Sequence, residues 1–263
     1  MLVLGVSAAL LAACGSSGGG STSSSMTAPA SPSGSTSASG STGQVLPAPP
    51  PGTTVTTQAP PASVTPPAGI TGLLAWDTAG YPGPGTPGAG TLAHDHVDGP
   101  VTYAVTPPVG GQHSPVWMNA GVYTAPVPSE RAVHDMEHGA VWITYDPALP
   151  AAQVAALTAF VARQQLFPET GEGSAAGQTN RYVVMSPWAS GGLPAPIVIS
   201  SWGYQLRVSD PADPRLQQFL DTFRRSKTYS PEYGSPVDGV PVGTGGRAAS
   251  NGAAVPNPEG TVS

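Results

Sequence analysis

"ERAVHDMEHGAVWITYD", residues 130 to 146, decides how this chain is read. Its first half has the marks of a short helix. Ser129 stands where an N-cap is wanted, and Gly139 where a left-handed residue stops a helix. Its second half, "AVWITY" at 140–145, is β-branched and aromatic and reads as a strand. On such a helix His134 and His138 are four residues apart and share a face, with Cβ atoms roughly 5–6 Å apart. Glu137 borders that face, and Met136 points away toward a core.

Working outward, "VTYAV" (101–105), "RYVVMS" (181–186) and "APIVISSWG" (195–203) read as further strands. "PAAQVAALTAFVARQQ" (150–165) reads as a helix with Pro150 in its first turn and Val154, Leu157 and Val161 on one face. In "DPRLQQFLDTFRRSK" (213–227), Asp213 is the expected N-cap and Pro214 the first helical residue. Leu216, Phe219, Leu220 and Phe223 follow at helical spacing, and Arg224, Arg225 and Lys227 suit a C-terminal dipole. Strands and helices mixed without strict alternation predict an α+β domain, a mixed β-sheet with two or three helices.

The rest of the chain is of another kind. Of 263 residues, 34 are Gly and 32 are Pro, and only 9% are charged, which predicts one compact domain between unstructured flanks. "MLVLGVSAALLAACGSS" opens as a secretory signal peptide, expected over 1–13. "LAAC" resembles the bacterial lipobox, so Cys14 is expected to carry lipid and to begin the mature chain. A tether is expected over 14–68, the globular domain over 69–235 and a tail over 236–263. A signal peptide needs a basic start, yet the first basic residue is Arg131, so the expected start codon lies upstream of Met1. These features place the protein on the outer face of a cell membrane, with the membrane as partner through the lipid anchor.

Cys14 is the single cysteine, which leaves no intramolecular disulfide and no thiolate zinc site. A net charge of −6 argues against a nucleic-acid partner. No run of about 18 apolar residues marks a transmembrane helix.

All five histidines, His94, His96, His113, His134 and His138, fall between residues 94 and 138. The loop "TPPVGGQHSPVW" (106–117) is stiffened by Pro107 and Pro108 and turned by Gly110 and Gly111, and it can carry His113 across to the helix. His96 is better placed than His94, which stands at the domain's edge. Three imidazoles in one place suit zinc or copper. The bland alternative is a helix end whose histidines favour the dipole.

In order along the chain stand Tyr103 to His113 (Tyr-x-x-x-Pro-Pro-x-x-Gly-x-His), Gly121-Val122-Tyr123, Val133 to Gly139 (Val-His-x-x-Glu-His-Gly), a strand ending in Tyr145, Ser201-Trp202-Gly203 and Pro231-Glu232. This set resembles the domain of unknown function 3105 family of bacterial exported proteins, over about residues 92 to 234. The resemblance implies that His96, His113, His134, Glu137 and His138 occupy motif positions. The loop departs from the common form, with Val109 where Ser usually precedes the glycine.

Three functions follow. The first is a lipid-anchored metal-binding protein holding copper or zinc, with Met118, Met136 and Met185 as nearby sulfur. The second is a metal-dependent hydrolase, since His134 to His138 also fits H-x-x-E-H with Glu137 as catalytic base. That class takes a downstream carboxylate as third ligand. Glu169 and Glu172 lie in a loop and Glu232 is distant, so the sequence leans away from an enzyme. The third is a non-catalytic binding or assembly module with structural histidines.

Overall fold

Alternation along β6 (Val141–Tyr145) sets out the two layers of the molecule. Val141, Ile143 and Tyr145 join one apolar cluster, and Trp142 joins another. The computed structural model describes residues 51–67, 69–78, 91–170, 177–189, 191–240 and 254–255, all within one unit spanning residues 41–263.

The elements in chain order are β1 (Thr56–Thr57), β2 (Ser63–Val64), β3 (Leu74–Trp76), β4 (Val101–Thr102), β5 (Gly121–Tyr123), α1 (Ser129–Glu137) and β6, then α2 (Ala151–Ala162), β7 (Phe167–Pro168), β8 (Thr179–Asn180), β9 (Val183–Pro187), β10 (Ile197–Ser201), β11 (Tyr204–Val208), α3 (Pro214–Phe223) and β12 (Ala254–Val255). Eight strands form one sheet in the order β12-β5-β9-β6-β10-β11-β3-β2. β9 pairs parallel with both β5 and β6, while β10 pairs antiparallel with β6 and β11. With three helices this is an α+β fold on a mixed sheet. Among the described residues no helix is long and apolar enough to cross a membrane.

One cluster joins Ile143, Ile199 and Leu206 of the sheet to Leu157 and Val161 of α2 and to Leu216, Phe219, Leu220 and Phe223 of α3. The other joins Trp142 and Val184 to Ala132, Val133 and Met136 of α1 and to Met118 and Trp202. Each fully buried side chain of this size contributes roughly 1.5–3 kcal/mol. Since alternate residues of β6 enter different clusters, α1 lies on the sheet face opposite α2 and α3.

Several elements differ from expectation. Pro128, not Ser129, is the N-cap of α1, and it makes no side-chain cap bond. Its carbonyl accepts from Arg131 N and Ala132 N, both at 3.2 Å, so Ser129 is already helical. Pro150 likewise stands at the N-cap of α2 rather than inside it. α3 stops at Phe223. Arg224 donates to the carbonyls of Gln165 and Arg181, and the Arg225 guanidinium lies over the rings of Phe167, Tyr182 and Tyr233. The basic residues expected to finish that helix are thus drawn off to another wall.

The fold also reaches beyond 69–235. β1 pairs with β4, and β2 with β3, using the β-branched and hydroxyl residues between prolines as edge strands. At the other end Val237 is buried, Asn119 exchanges hydrogen bonds with the Val240 backbone, and β12 pairs with β5. The expected signal peptide over 1–13, Cys14 and Glu172 lie outside the described residues.

Candidate metal centre

α1 is short and is fixed at both ends. In its first turn the Glu130 carboxylate accepts from Val101 N at 2.8 Å. Gly139 ends it with φ +100° and donates to Met136 O at 3.1 Å. A Cβ here would stand 2.8 Å from Ser230 Oγ and 3.1 Å from Arg225 Cα, so glycine is required for space as well as for backbone angle. β6 starts two residues later, anchoring the helix end to the centre of the sheet.

The end so fixed carries an unusual burial pattern. His134 and His138 are each 3% exposed, and Asp135 and Glu137 no more than 1%. The two imidazoles meet edge to face with centroids 4.4 Å apart and Nε2 atoms 2.9 Å apart. The 106–117 loop presses Gly110 against Leu92 and Trp202 and delivers a fully buried His113. Val97 N donates to His113 O at 2.7 Å and His113 N to Asp95 O at 3.1 Å, a parallel bridge that brings His96 to the same place. The exposed His96 ring stacks on His134 at 4.9 Å and stands 5.0 Å from His113. His96, His113, His134 and Glu137 offer ligand atoms that all lie within 4.8 Å of one another. His94 reaches the edge, its Nδ1 4.0 Å from Glu137 Oε1.

The proton positions follow from the backbone. His113 Nδ1 faces Gly111 O at 2.7 Å, His134 Nδ1 faces Ser114 O at 2.7 Å, and His138 Nδ1 faces Pro236 O at 2.6 Å. A carbonyl only accepts, so each Nδ1 carries a proton and each ring turns its Nε2 into the cluster. The Nε2 atoms face one another and two carboxylates: His134 Nε2 meets His138 Nε2, His113 Nε2 lies 2.9 Å from Glu137 Oε2, and His138 Nε2 lies 3.3 Å from Glu232 Oε2. The His113 contact is short yet lacks hydrogen-bond geometry. One proton relieves one such contact, whereas a cation relieves several. With metal–ligand bonds of roughly 2.0–2.2 Å, adjacent donors around one ion stand about 3 Å apart, so the residues fit a metal.

Burial, then the neighbouring His138, push the His134 imidazole down to about 2, and burial followed by His113 lowers His96. Both are therefore neutral and ready to ligate at ordinary pH. Contact with His138 holds the Glu232 carboxyl below the usual carboxylate range. The Trp117 ring, 5.4 Å from His134 and 5.1 Å from His138, forms an aromatic wall, with Trp202 5.9 Å from His113 on another side.

Three residues expected nearby lie elsewhere. Met118 and Met136 pack in the cluster around Trp142, and Met185 packs on the other face. Glu169 accepts from Val237 N, and burial pushes its carboxyl up to about 7. Glu232, distant in sequence, stands against His138. Its one sequence signal was its place beside Pro231 in the ordered motif set. The carbonyls of Gly111, Ser114 and Pro236 left no signal at all.

Residues 94–239 match the model of a family described as protein of unknown function (DUF3105). No curated protein and no solved structure matches the chain.

Proposed function

The chain belongs to the domain of unknown function 3105 family, and we propose that His96, His113, His134, Glu137 and His138 form a metal centre in it that carries copper or zinc. One observation carries this reading: the buried Nε2 atoms of His113, His134 and His138 converge on one another and on a carboxylate, while the Nδ1 of each is committed to a carbonyl. Nitrogen and oxygen donors without thiolate suit Zn²⁺ and Cu²⁺ alike, and Cu²⁺ binds such a set more tightly. When bound, the ion supplies a positive charge that cancels the repulsion between the facing acceptors. The chain's part is to keep His96 and His134 neutral and to fix the rings of His113, His134 and His138 from their Nδ1 side.

Cys14 attaches this domain through lipid to the outer face of the cell membrane, a placement supported by "LAAC" and the uncharged stretch that follows. Detergent-phase partitioning that is lost in Cys14→Ser checks it, and Cys14→Ser protein that still sediments with membranes overturns it.

A second reading, metal-dependent hydrolysis, draws on Glu137 sharing the cluster with His134 and His138, as H-x-x-E-H requires. The burial of Glu137 at 1% exposure and its contact with His113 favour a ligand over a base that must meet water.

The test is titration of the full chain with Zn²⁺ and Cu²⁺. His134→Ala and His138→Ala each lose more than about a hundredfold in affinity. Glu137→Gln that retains metal but abolishes a measured hydrolytic activity favours the second reading. Wild type that binds neither ion at micromolar concentration refutes both.

A further inference from the structure

We infer that Glu232 is the outermost ligand of this centre, so that a bound ion fastens the segment 230–240 across the end of α1. The inference rests on the cluster being a metal centre.

Two backbone bonds set Glu232 in place. Glu232 N donates to Glu137 O at 2.9 Å and Gly234 N to His138 O at 3.3 Å. Both acceptors are carbonyls at the C-terminal end of α1, where no helical donor remains to meet them. The segment therefore caps the two site residues whose side chains enter the cluster. Two residues after Gly234, the Pro236 carbonyl takes the Nδ1 proton of His138 at 2.6 Å. The segment thus does two things at His138: it orients the ring from one side and sets a carboxylate against the other.

The carboxylate contact joins Glu232 to the cluster through His138. With Nδ1 committed to Pro236, His138 turns only Nε2 to the cluster, and that atom stands between His134 Nε2 at 2.9 Å and Glu232 Oε2 at 3.3 Å. A half-exposed carboxylate is free to turn to water. Glu232, with 48% of its side chain exposed, instead stays on His138 Nε2, where one cation can meet both groups. Its exposure sets it apart from His113, His134, Glu137 and His138, which are buried. Glu232 and the exposed His96 form the solvent side of the cluster, where an ion enters. Two carboxylates, Glu137 inside and Glu232 at the rim, also balance the charge of one divalent ion among neutral imidazoles.

The experiment uses the full 263-residue chain and Zn²⁺ alone as probe. Calorimetric titration compares wild type, Glu232→Gln and Glu232→Ala. Hydrogen exchange follows the amides of 230–240 with and without the ion, and metal-free melting temperatures show whether the variants are folded. Glu232→Gln and Glu232→Ala are expected to weaken Zn²⁺ binding by about tenfold or more at an unchanged metal-free melting temperature. Zn²⁺ slows exchange at Glu232 and Gly234 in wild type and does so much less in the variants. Glu232→Asp, which keeps the charge, recovers part of the affinity if a folding defect is not the cause. If wild type binds Zn²⁺ tightly, both variants match it and the exchange of 230–240 ignores the ion, the inference is wrong and the metal centre stands. If wild type binds no Zn²⁺, the centre itself is wrong for this ion, and Glu232 is only an acceptor for a protonated His138.

Discussion

α1 and α3 are helices of nine and ten residues on opposite faces of one sheet, and they are buried for opposite reasons. α3 turns Leu216, Phe219, Leu220 and Phe223 to the core and caps itself with Asp213, whose side chain accepts from Arg215 N at 2.9 Å. α1 buries every residue from Ala132 to Glu137, among them a histidine and two carboxylates, and has no side-chain cap. Apolar burial stabilises a fold in proportion to area, while buried polar groups without complementary donors do the reverse. α3 holds the sheet together. α1 is held in place by it, through Gly139, β6 and the 230–240 segment.

The comparison is sharpest at Phe219. Phe219→Ala is expected to cost about 3–5 kcal/mol in chemical unfolding while the folded fraction keeps its metal affinity. Equal loss of both would show that the two faces are not separate in energy. Gly139→Ala comes next, at about 2 kcal/mol, because an L side chain must adopt φ +100° and displace Ser230. It should also weaken metal binding, since it moves the end of α1.

The third effect depends on pH. The folded chain keeps His134 neutral down to about 2, whereas the unfolded chain protonates it near 6.5. Within that window the unfolded state holds the extra proton, so stability rises with pH and is lost as pH falls below 6.5. Glu169, raised from 4.5 to about 7, acts in the opposite direction between those values. The quantity to measure is therefore the difference between metal-free wild type and His134→Ala. Going from about pH 7.5 to about pH 5.5, wild type should lose about 1.4 kcal/mol relative to the variant. Parallel pH profiles would show that His134 is not neutral in the fold. The smallest effect is Asp213→Ala, about 1 kcal/mol from the lost cap, with metal affinity untouched.

The same contrast explains what the sequence discloses. α3 is legible because its signals are local: an N-cap, a proline after it and four apolar residues at helical spacing. The crowding of five histidines into residues 94–138 is local too, and His96, His113, His134 and Glu137 do come together. Glu232 and the Pro236 carbonyl act across 94 and 98 residues through backbone geometry that no spacing rule encodes. β1 and β2 lie in Pro- and Thr-rich sequence and become strands only because β4 and β3 present edges to them. The cap of α1 fell to Pro128 rather than Ser129 because a helix can open one residue early when a backbone carbonyl is enough to start it.

The 98 residues between His138 and the carbonyl that orients it also set an order in time. A chain that emerges N-terminus first presents His96, His113, His134 and His138 long before Glu232 and Pro236. Until that last segment arrives, His138 can choose either tautomer and the rim lacks its carboxylate. The orientation of His138 is therefore completed only once synthesis has run past residue 236.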